Sequence, residues 1–137
     1  MRKTTTLALA LLPAATLFFG CDKGSDEKGT PDVTGPEILY YEPDPNEVFA
    51  VNDTIFLEAD VTDESELQDF SVKLIKGTDT ILVWPEEVVI FGNIKSYHLV
   101  EYTIDTYHIN SPAIILYEAS DKKDNVTKIE VPIELTM

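Results

Sequence analysis

Two short acidic segments of the sequence contain side chains that could bind a metal ion. Asp60 and Asp63 lie in the first segment, and Asp121 and Asp124 lie in the second. Calcium takes about six to eight oxygen ligands from carboxylates, carbonyls and water, so these side chains could hold it if the fold brings them together. The sequence has neither EF-hand spacing nor a cadherin-like signature. Aspartate is also a common turn former, so the elements that position these residues decide between the two interpretations.

Catalytic chemistry has less support. The chain has one cysteine, Cys21, and two histidines, His98 and His108. These residues provide few candidates for a nucleophile with its base or for a zinc ligand set. Paired carboxylates could hydrolyse a glycosidic bond, but chance pairs are expected among 25 Asp and Glu residues. We therefore predict that the protein is not an enzyme, with a hydrolase as the remote alternative.

The charge of the chain restricts its partners. It has 137 residues, with 10 Lys and Arg against 25 Asp and Glu, which gives a formal net charge of −15. Binding to nucleic acid requires clustered cations, and the only adjacent basic pairs are Arg2-Lys3 and Lys122-Lys123. We therefore expect no nucleic-acid partner. The length and the hydrophobic fraction of 44% are typical of one globular domain.

The amino terminus has the features of a secretory signal peptide. A basic start precedes an uncharged apolar run over residues 7–19, which is too short to span a membrane and ends just before Cys21. This ending resembles the lipobox of bacterial lipoproteins, although Phe18 stands where that family usually has leucine. The resemblance implies cleavage after residue 20, lipid attachment at Cys21 and anchoring in the outer membrane. An unmodified buried thiol is the alternative.

The residues after the signal peptide of residues 1–20 are polar and rich in glycine. This composition predicts a flexible tether over residues 21–36. The pair Asp26-Glu27 resembles the acidic export signal of Bacteroidota surface lipoproteins, which implies display at the cell surface. Retention on the periplasmic side is the alternative.

Residues 37–137 alternate between apolar and polar side chains, which predicts β-strands. Seven strands are predicted, at residues 38–41, 54–61, 67–75, 81–84, 96–104, 113–119 and 128–135. In the fifth strand we expect the alternating apolar set to face the core together with a partly buried His98; this set is Val100, Tyr102 and Ile104. Pro132 has no N–H, so the last strand should be an edge or bulged there. The predicted fold is all-β, a seven-stranded immunoglobulin-like antiparallel sandwich.

Several motifs resemble the immunoglobulin-like domains that are common in Bacteroidota lipoproteins. The motifs are Pro36-Glu37-Ile38, Val51-Asn52-Asp53-Thr54-Ile55 and the segment over residues 117–127. The resemblance covers nearly all of residues 36–135 and implies an extracytoplasmic binding or spacer role without a reaction. Asn52 and Asp124 stand where those domains carry glycine, and Asn and Asp tolerate such turn positions best. Ala113 stands where many of them carry a tyrosine.

In such a sandwich, strands that reverse direction place two connections at the same end. One joins the second and third predicted strands, and the other joins the sixth and seventh. Asp60 and Asp63 should therefore approach Asp121 and Asp124. A calcium site is one interpretation of this convergence, and solvated turn residues are the other. At the opposite end we expect aromatic residues that either cap the core or contact a partner: Tyr40, Tyr41, Tyr107 and His108.

Two further features of the sequence lead to predictions. Residues 84–93 are predicted to form a short edge strand or a flap, and exposure of Trp84, Ile90 and Phe91 would instead create a partner surface. Thr54 and Thr80 lie in Asp-Thr-aliphatic triplets similar to O-glycosylation sites of Bacteroidota.

These observations together predict a non-catalytic lipoprotein that contacts the membrane through its lipid anchor. Its sandwich would bind a protein or glycan partner or act as a structural module. A calcium-dependent binding module is the alternative, and no other cofactor is expected.

Overall fold

A computed structural model describes residues 32–85, 92–106 and 110–137. These residues belong to one compact unit, Pro31–Met137, and form eight strands and no helix, hence no helix that could span a membrane. The strands are β1 (Glu37–Glu42), β2 (Glu47–Ala50), β3 (Thr54–Thr62), β4 (Leu67–Lys76), β5 (Asp79–Trp84), β6 (Ser96–Ile104), β7 (Ser111–Asp121) and β8 (Val126–Thr136).

The strands form two sheets. One has three strands in the order β1-β3-β6, and the other has five in the order β2-β8-β7-β4-β5. Every pairing is antiparallel except that of β2 with β8, which is parallel. The predicted all-β class is therefore confirmed. All seven predicted strands are present, but the count of seven is wrong for the described residues because β2 is an eighth strand. Its four residues are too few to show a clear alternation.

The inner faces of both sheets contribute to one hydrophobic core. The alternating residues of β3 are fully buried, as the sequence predicts: Ile55, Leu57, Ala59 and Val61. Aromatic rings connect the sheets, because Tyr97 of β6 lies 6.3 Å from Phe70 of β4 and 5.3 Å from Trp84 of β5 between ring centroids. Trp84 is thus part of the core, which rules out its exposure as a partner surface. Residues 86–91, with Ile90 and Phe91, lie outside the described residues.

The apolar set of β6 faces the opposite way from the prediction. The exposed residues are His98, Val100, Tyr102 and Ile104. The cause is the register with β3, in which Leu99 lies opposite Ala59 and Val100 lies opposite Glu58. Directly opposite residues of an antiparallel pair share a face of the sheet. Because Ala59 is buried, Leu99 faces the core and the more apolar set faces outward.

The turn and edge positions agree with the sequence. Asn52 and Asp124 have φ angles of 69° and 64°, which is the left-handed region that glycine favours and that Asn and Asp tolerate best among the other residues. Pro132 lies opposite Ile114 of β7, while β2 pairs with β8 only from Ile133 onward. Pro132 thus lies one residue outside the paired stretch of β2 and β8, where its carbonyl accepts a 2.6 Å hydrogen bond from the Asn46 N–H. Its missing N–H removes no bond between the paired residues of these strands.

A buried tyrosine connects the two sheets, although it does not stand at position 113, where the similar domains often carry one. Tyr117, further along β7, donates its hydroxyl hydrogen to the backbone carbonyl of Glu42 at the end of β1. Burial raises the pKa of Tyr117, so the hydroxyl stays protonated and remains a donor.

The assignment of faces in β3 can be tested with two neighbouring residues. Leu57→Ala should lower the free energy of unfolding by about 2–5 kcal/mol, because it leaves a cavity in the core. Phe56→Thr, one residue away on the exposed face, should change it by no more than about 0.5 kcal/mol. Urea unfolding followed by circular dichroism measures both values. Equal destabilisation by the two changes would contradict the assignment.

Candidate functional site

Three carboxylates meet where the chain enters the sandwich. Asp63 from the β3–β4 connection and Asp121 at the end of β7 lie beside Asp32, and each offers a carboxylate oxygen within 4.8 Å of the others. The sequence predicted the meeting of Asp63 and Asp121 but not Asp32, which was assigned to the tether. Asn125 contacts the backbone carbonyl of Asp32, so the end of the predicted tether belongs to the compact unit.

Asp121 is the most buried member of this cluster. Its Oδ1 accepts hydrogen bonds from the backbone N–H groups of Lys123 and Asn125, both at 2.8 Å. Its Oδ2 accepts one from the Asn125 side-chain amide, also at 2.8 Å. Burial raises the pKa of Asp121, but these hydrogen bonds outweigh burial and hold the pKa below its usual value. Asp121 therefore anchors the β7–β8 turn as a carboxylate.

The other two carboxylates also organise local backbone. Asp63 Oδ1 accepts a hydrogen bond from the backbone N–H of Ser65 at 2.7 Å, and Asp32 Oδ1 accepts one from that of Thr34 at 3.1 Å. The hydrogen bonds from Thr34 lower the pKa of Asp32. The cluster is thus held by donors from its own turns.

The two remaining predicted ligands lie elsewhere. Asp124 is exposed in the β7–β8 turn, where its backbone N–H donates to the carbonyl of Asp121. Asp60 lies on the outer face of the three-stranded sheet. There its Oδ2 accepts a 2.6 Å hydrogen bond from the Tyr41 hydroxyl, and its Oδ1 lies 2.7 Å from His98 Nδ1. These contacts, with the one from Tyr41 the larger, hold the pKa of Asp60 below its usual value.

The outer face of the three-stranded sheet combines exposed apolar side chains with acids, and we call it the apolar–acidic face. Its apolar residues are Phe56 (61% exposed), Val100 (64%), Tyr102 (62%) and Ile104 (46%). Its acids are Glu42, Glu58 and Asp60. Contiguous apolar side chains on the surface commonly mark an interaction site. Sequence reasoning missed this face because it assigned the outward residues of β6 to the core.

The remaining predicted residues have separate positions. Thr54 begins β3 and Thr80 lies in β5, and both are exposed. Tyr40 is half-buried and stacks on Tyr117 at 6.1 Å between ring centroids, so it caps the core. Cys21, with its predicted lipid, and the loop residues Tyr107 and His108 lie outside the described residues.

No protein-family model matches the chain, and the search of curated proteins gives no match.

The role of Asp121 predicts a contrast between two neighbouring substitutions. Asp121→Asn should lower the free energy of unfolding by about 1–3 kcal/mol, because a side-chain amide replaces one acceptor among buried donors. Asp124→Asn should be nearly neutral, because Asn tolerates a positive φ. Thermal unfolding of both variants measures the difference.

The stabilisation by Asp121 should also depend on pH. Asp121 has a lowered pKa when folded, so its stabilisation is present above the ordinary value of 3.8 and is lost as the pH falls through the folded pKa. The stability gap between the parent chain and Asp121→Asn should therefore shrink in acid. A gap that widens in acid would contradict this account.

Proposed function

We propose that the protein is a non-catalytic, lipid-anchored extracytoplasmic lipoprotein whose immunoglobulin-like sandwich binds a protein or glycan partner. The observation that carries the binding role is the apolar–acidic face. It places Phe56 and Tyr102 directly opposite each other on neighbouring strands, with each side chain more than half exposed. Contiguous large apolar side chains on the surface of a folded domain commonly mark an interaction site.

The strand order supports the immunoglobulin-like assignment. The first part of the chain divides between the sheets, because β1 pairs with β3 in one and β2 pairs in parallel with the last strand in the other. In immunoglobulin-like sandwiches two sheets pack face to face, and variable-type domains extend the sheet of the third, sixth and seventh strands with additional strands. Here β5 extends the sheet at β4, which agrees with that variation.

The arrangement of polar groups supports a role without catalysis. His98 and Asp60 form the one described pair of histidine and carboxylate at hydrogen-bond distance, and they lie on an open sheet surface rather than in a cleft that excludes water. A shallow depression of about 380 Å³ on the five-stranded sheet has an apolar lining without titratable side chains: Ile75, Gly77, Pro112, Ala113, Ile114 and Pro132. Neither place provides an acid and a base around a protected substrate.

The lipid anchor rests on the sequence before Cys21, and the acidic pair Asp26-Glu27 favours surface display over periplasmic retention. A membrane with an anionic surface would repel a body of this charge. We therefore assign attachment to acyl chains at Cys21, since stable anchoring requires more than one chain.

One experiment on producing cells tests both parts of the proposal. A photo-crosslinking amino acid replaces Tyr102, with Glu130 of the five-stranded sheet as the control position, in chains that carry either Cys21 or Cys21→Ser. We expect incorporation of labelled fatty acid and membrane fractionation with Cys21 only. We also expect an adduct of defined mass from position 102 and none from position 130.

Each part can fail separately. Fatty-acid labelling of the Cys21→Ser chain would contradict the anchor. The lack of any adduct from position 102 in the anchored chain would contradict the binding role.

Calcium-dependent binding is the second candidate function. The observation that favours it is the 4.8 Å grouping of carboxylate oxygens from Asp32, Asp63 and Asp121. Asp60 and Asp124 are not part of this grouping, so the proposed ligand set differs from the one expected from the sequence. An ion bound there would relieve the repulsion between Asp32 and Asp121, each of which raises the energy of the other's charged form.

Calcium binding would raise thermal stability. At about a hundredfold excess over the dissociation constant the gain is about 2.7 kcal/mol. Asp32→Asn should remove the gain, whereas the exposed Asp124→Asn should keep it. Melting curves with calcium, and with sodium at matched ionic strength, measure the effect because salt alone stabilises an acidic protein. An equal response to calcium and sodium would exclude this candidate.

A further inference from the structure

The two sheets differ in how their outer faces balance charge. On the five-stranded sheet Glu118 lies 3.2 Å from both Lys73 and Lys128, so one acid of that surface is paired with two bases. The strands of the three-stranded sheet contain no lysine or arginine at all. Their acids face solvent with one histidine, His98, as the only basic side chain. The apolar–acidic face therefore has more acidic than basic side chains beside its exposed rings.

The rings and acids are close enough to act on one ligand group. Phe56 and Tyr102 are paired across β3 and β6, and side chains at such positions have Cβ atoms about 4.5–5.5 Å apart. Glu58 follows Phe56 by two residues and therefore points to the same side of the sheet. Glu42 lies opposite Glu58 in the neighbouring strand. A planar group that stacks on Phe56 thus has carboxylates within reach at its edge.

One acid of the face, Asp60, is held in place by hydrogen bonds. Asp60 is fixed by Tyr41 and His98, and Glu58 Oε1 lies 3.8 Å from His98 Nε2. The hydrogen bond to Asp60 raises the pKa of Tyr41, which keeps Tyr41 a donor and Asp60 an acceptor. The negative charge of the face is therefore preorganised, which lowers the entropic cost of binding a cation.

This charge decides between the possible occupants. A second copy of the chain would bring the same acids against themselves, because a twofold contact pairs a patch with its own equivalent. Like charges across an interface are costly. A neutral glycan could stack on the rings and donate hydroxyl hydrogens to the carboxylates, but it would bring no positive charge to oppose theirs. A cationic partner satisfies the rings and the acids together.

We propose that the apolar–acidic face docks a protein partner through arginine side chains. Guanidinium is planar, stacks on aromatic rings and forms paired hydrogen bonds with carboxylates, whereas ammonium acts as a point charge. Arginine therefore matches the combination of Phe56 and Tyr102 with Glu58 better than lysine does. This inference rests on the proposed binding role and specifies its surface and the chemistry of its partner.

The test uses the full chain in nanodiscs of zwitterionic lipid and a short strand-forming peptide in which arginine alternates with valine. Matched peptides carry lysine or the neutral isostere citrulline in place of arginine, and cellohexaose serves as a neutral glycan probe. Calorimetric titration measures each affinity. We expect the arginine peptide to bind about tenfold more tightly than the citrulline peptide, with the lysine peptide between them.

Variants locate the binding. Phe56→Thr and Glu58→Gln should each weaken the arginine peptide about three- to tenfold. Their controls on the other sheet are Val48→Thr, at a residue about as exposed as Phe56, and Glu130→Gln, at an exposed acid; both should leave the affinity unchanged. Circular dichroism and the melting temperature verify that each variant is folded.

The following results would contradict the inference. Equal binding of the citrulline peptide or tighter binding of cellohexaose would favour a neutral ligand. Equal losses in Glu58→Gln and Glu130→Gln would assign binding to the general acidity of the chain. Sedimentation that shows a dimer lost in Phe56→Thr would assign the face to a second copy. If crosslinks form from position 102 in cells while the arginine peptide fails to bind, this inference is wrong and the binding role stands. If no crosslinks form, the binding role itself fails.

Discussion

The pairing of β3 with β6 is the constraint on which the surface of this protein depends. β3 lies in the middle of its sheet and buries four consecutive alternate side chains, so its orientation is fixed by the core. β6 has apolar residues on both faces, and its own pattern favours burial of the set that lies outward in the structure. Its register with β3 therefore decides which set is buried: Leu99 goes inward, opposite Ala59, and the more apolar set goes outward. A slip of one residue would reverse every side chain of β6.

The sequence allows a good prediction of the elements that depend on local patterns. The alternation in β3 identified its buried residues, and the turn positions Asn52 and Asp124 followed from the residues that tolerate a positive φ. The position of Pro132 just outside the β2–β8 pairing agrees with its missing N–H. In each case the relevant physics lies within a few neighbouring residues.

Features that depend on pairing between distant segments could not be predicted in the same way. The outward face of β6 depends on a strand about 40 residues earlier in the chain. Asp32 joins Asp63 and Asp121 because the chain before β1 folds against the β7–β8 turn, and a polar, glycine-rich segment carries no pattern that signals this contact. Of the four predicted acidic ligands, Asp60 was misplaced for a simple reason. It belongs to β3 itself and points outward, whereas Asp63 lies in the connection beyond the strand.

The entry of the chain into β1 has a mechanical consequence. β1 is an edge strand whose residues from Glu37 to Glu42 pair with β3. Hydrogen bonds between antiparallel strands run perpendicular to the strand direction. A pull on the amino-terminal side along β1 would therefore load these bonds in shear, all at once, instead of opening them one after another from the end. The Asn125 contact with Asp32 lies before this ladder and would yield first. Tension would thus release a few residues of slack while the strand and both sheets stay intact.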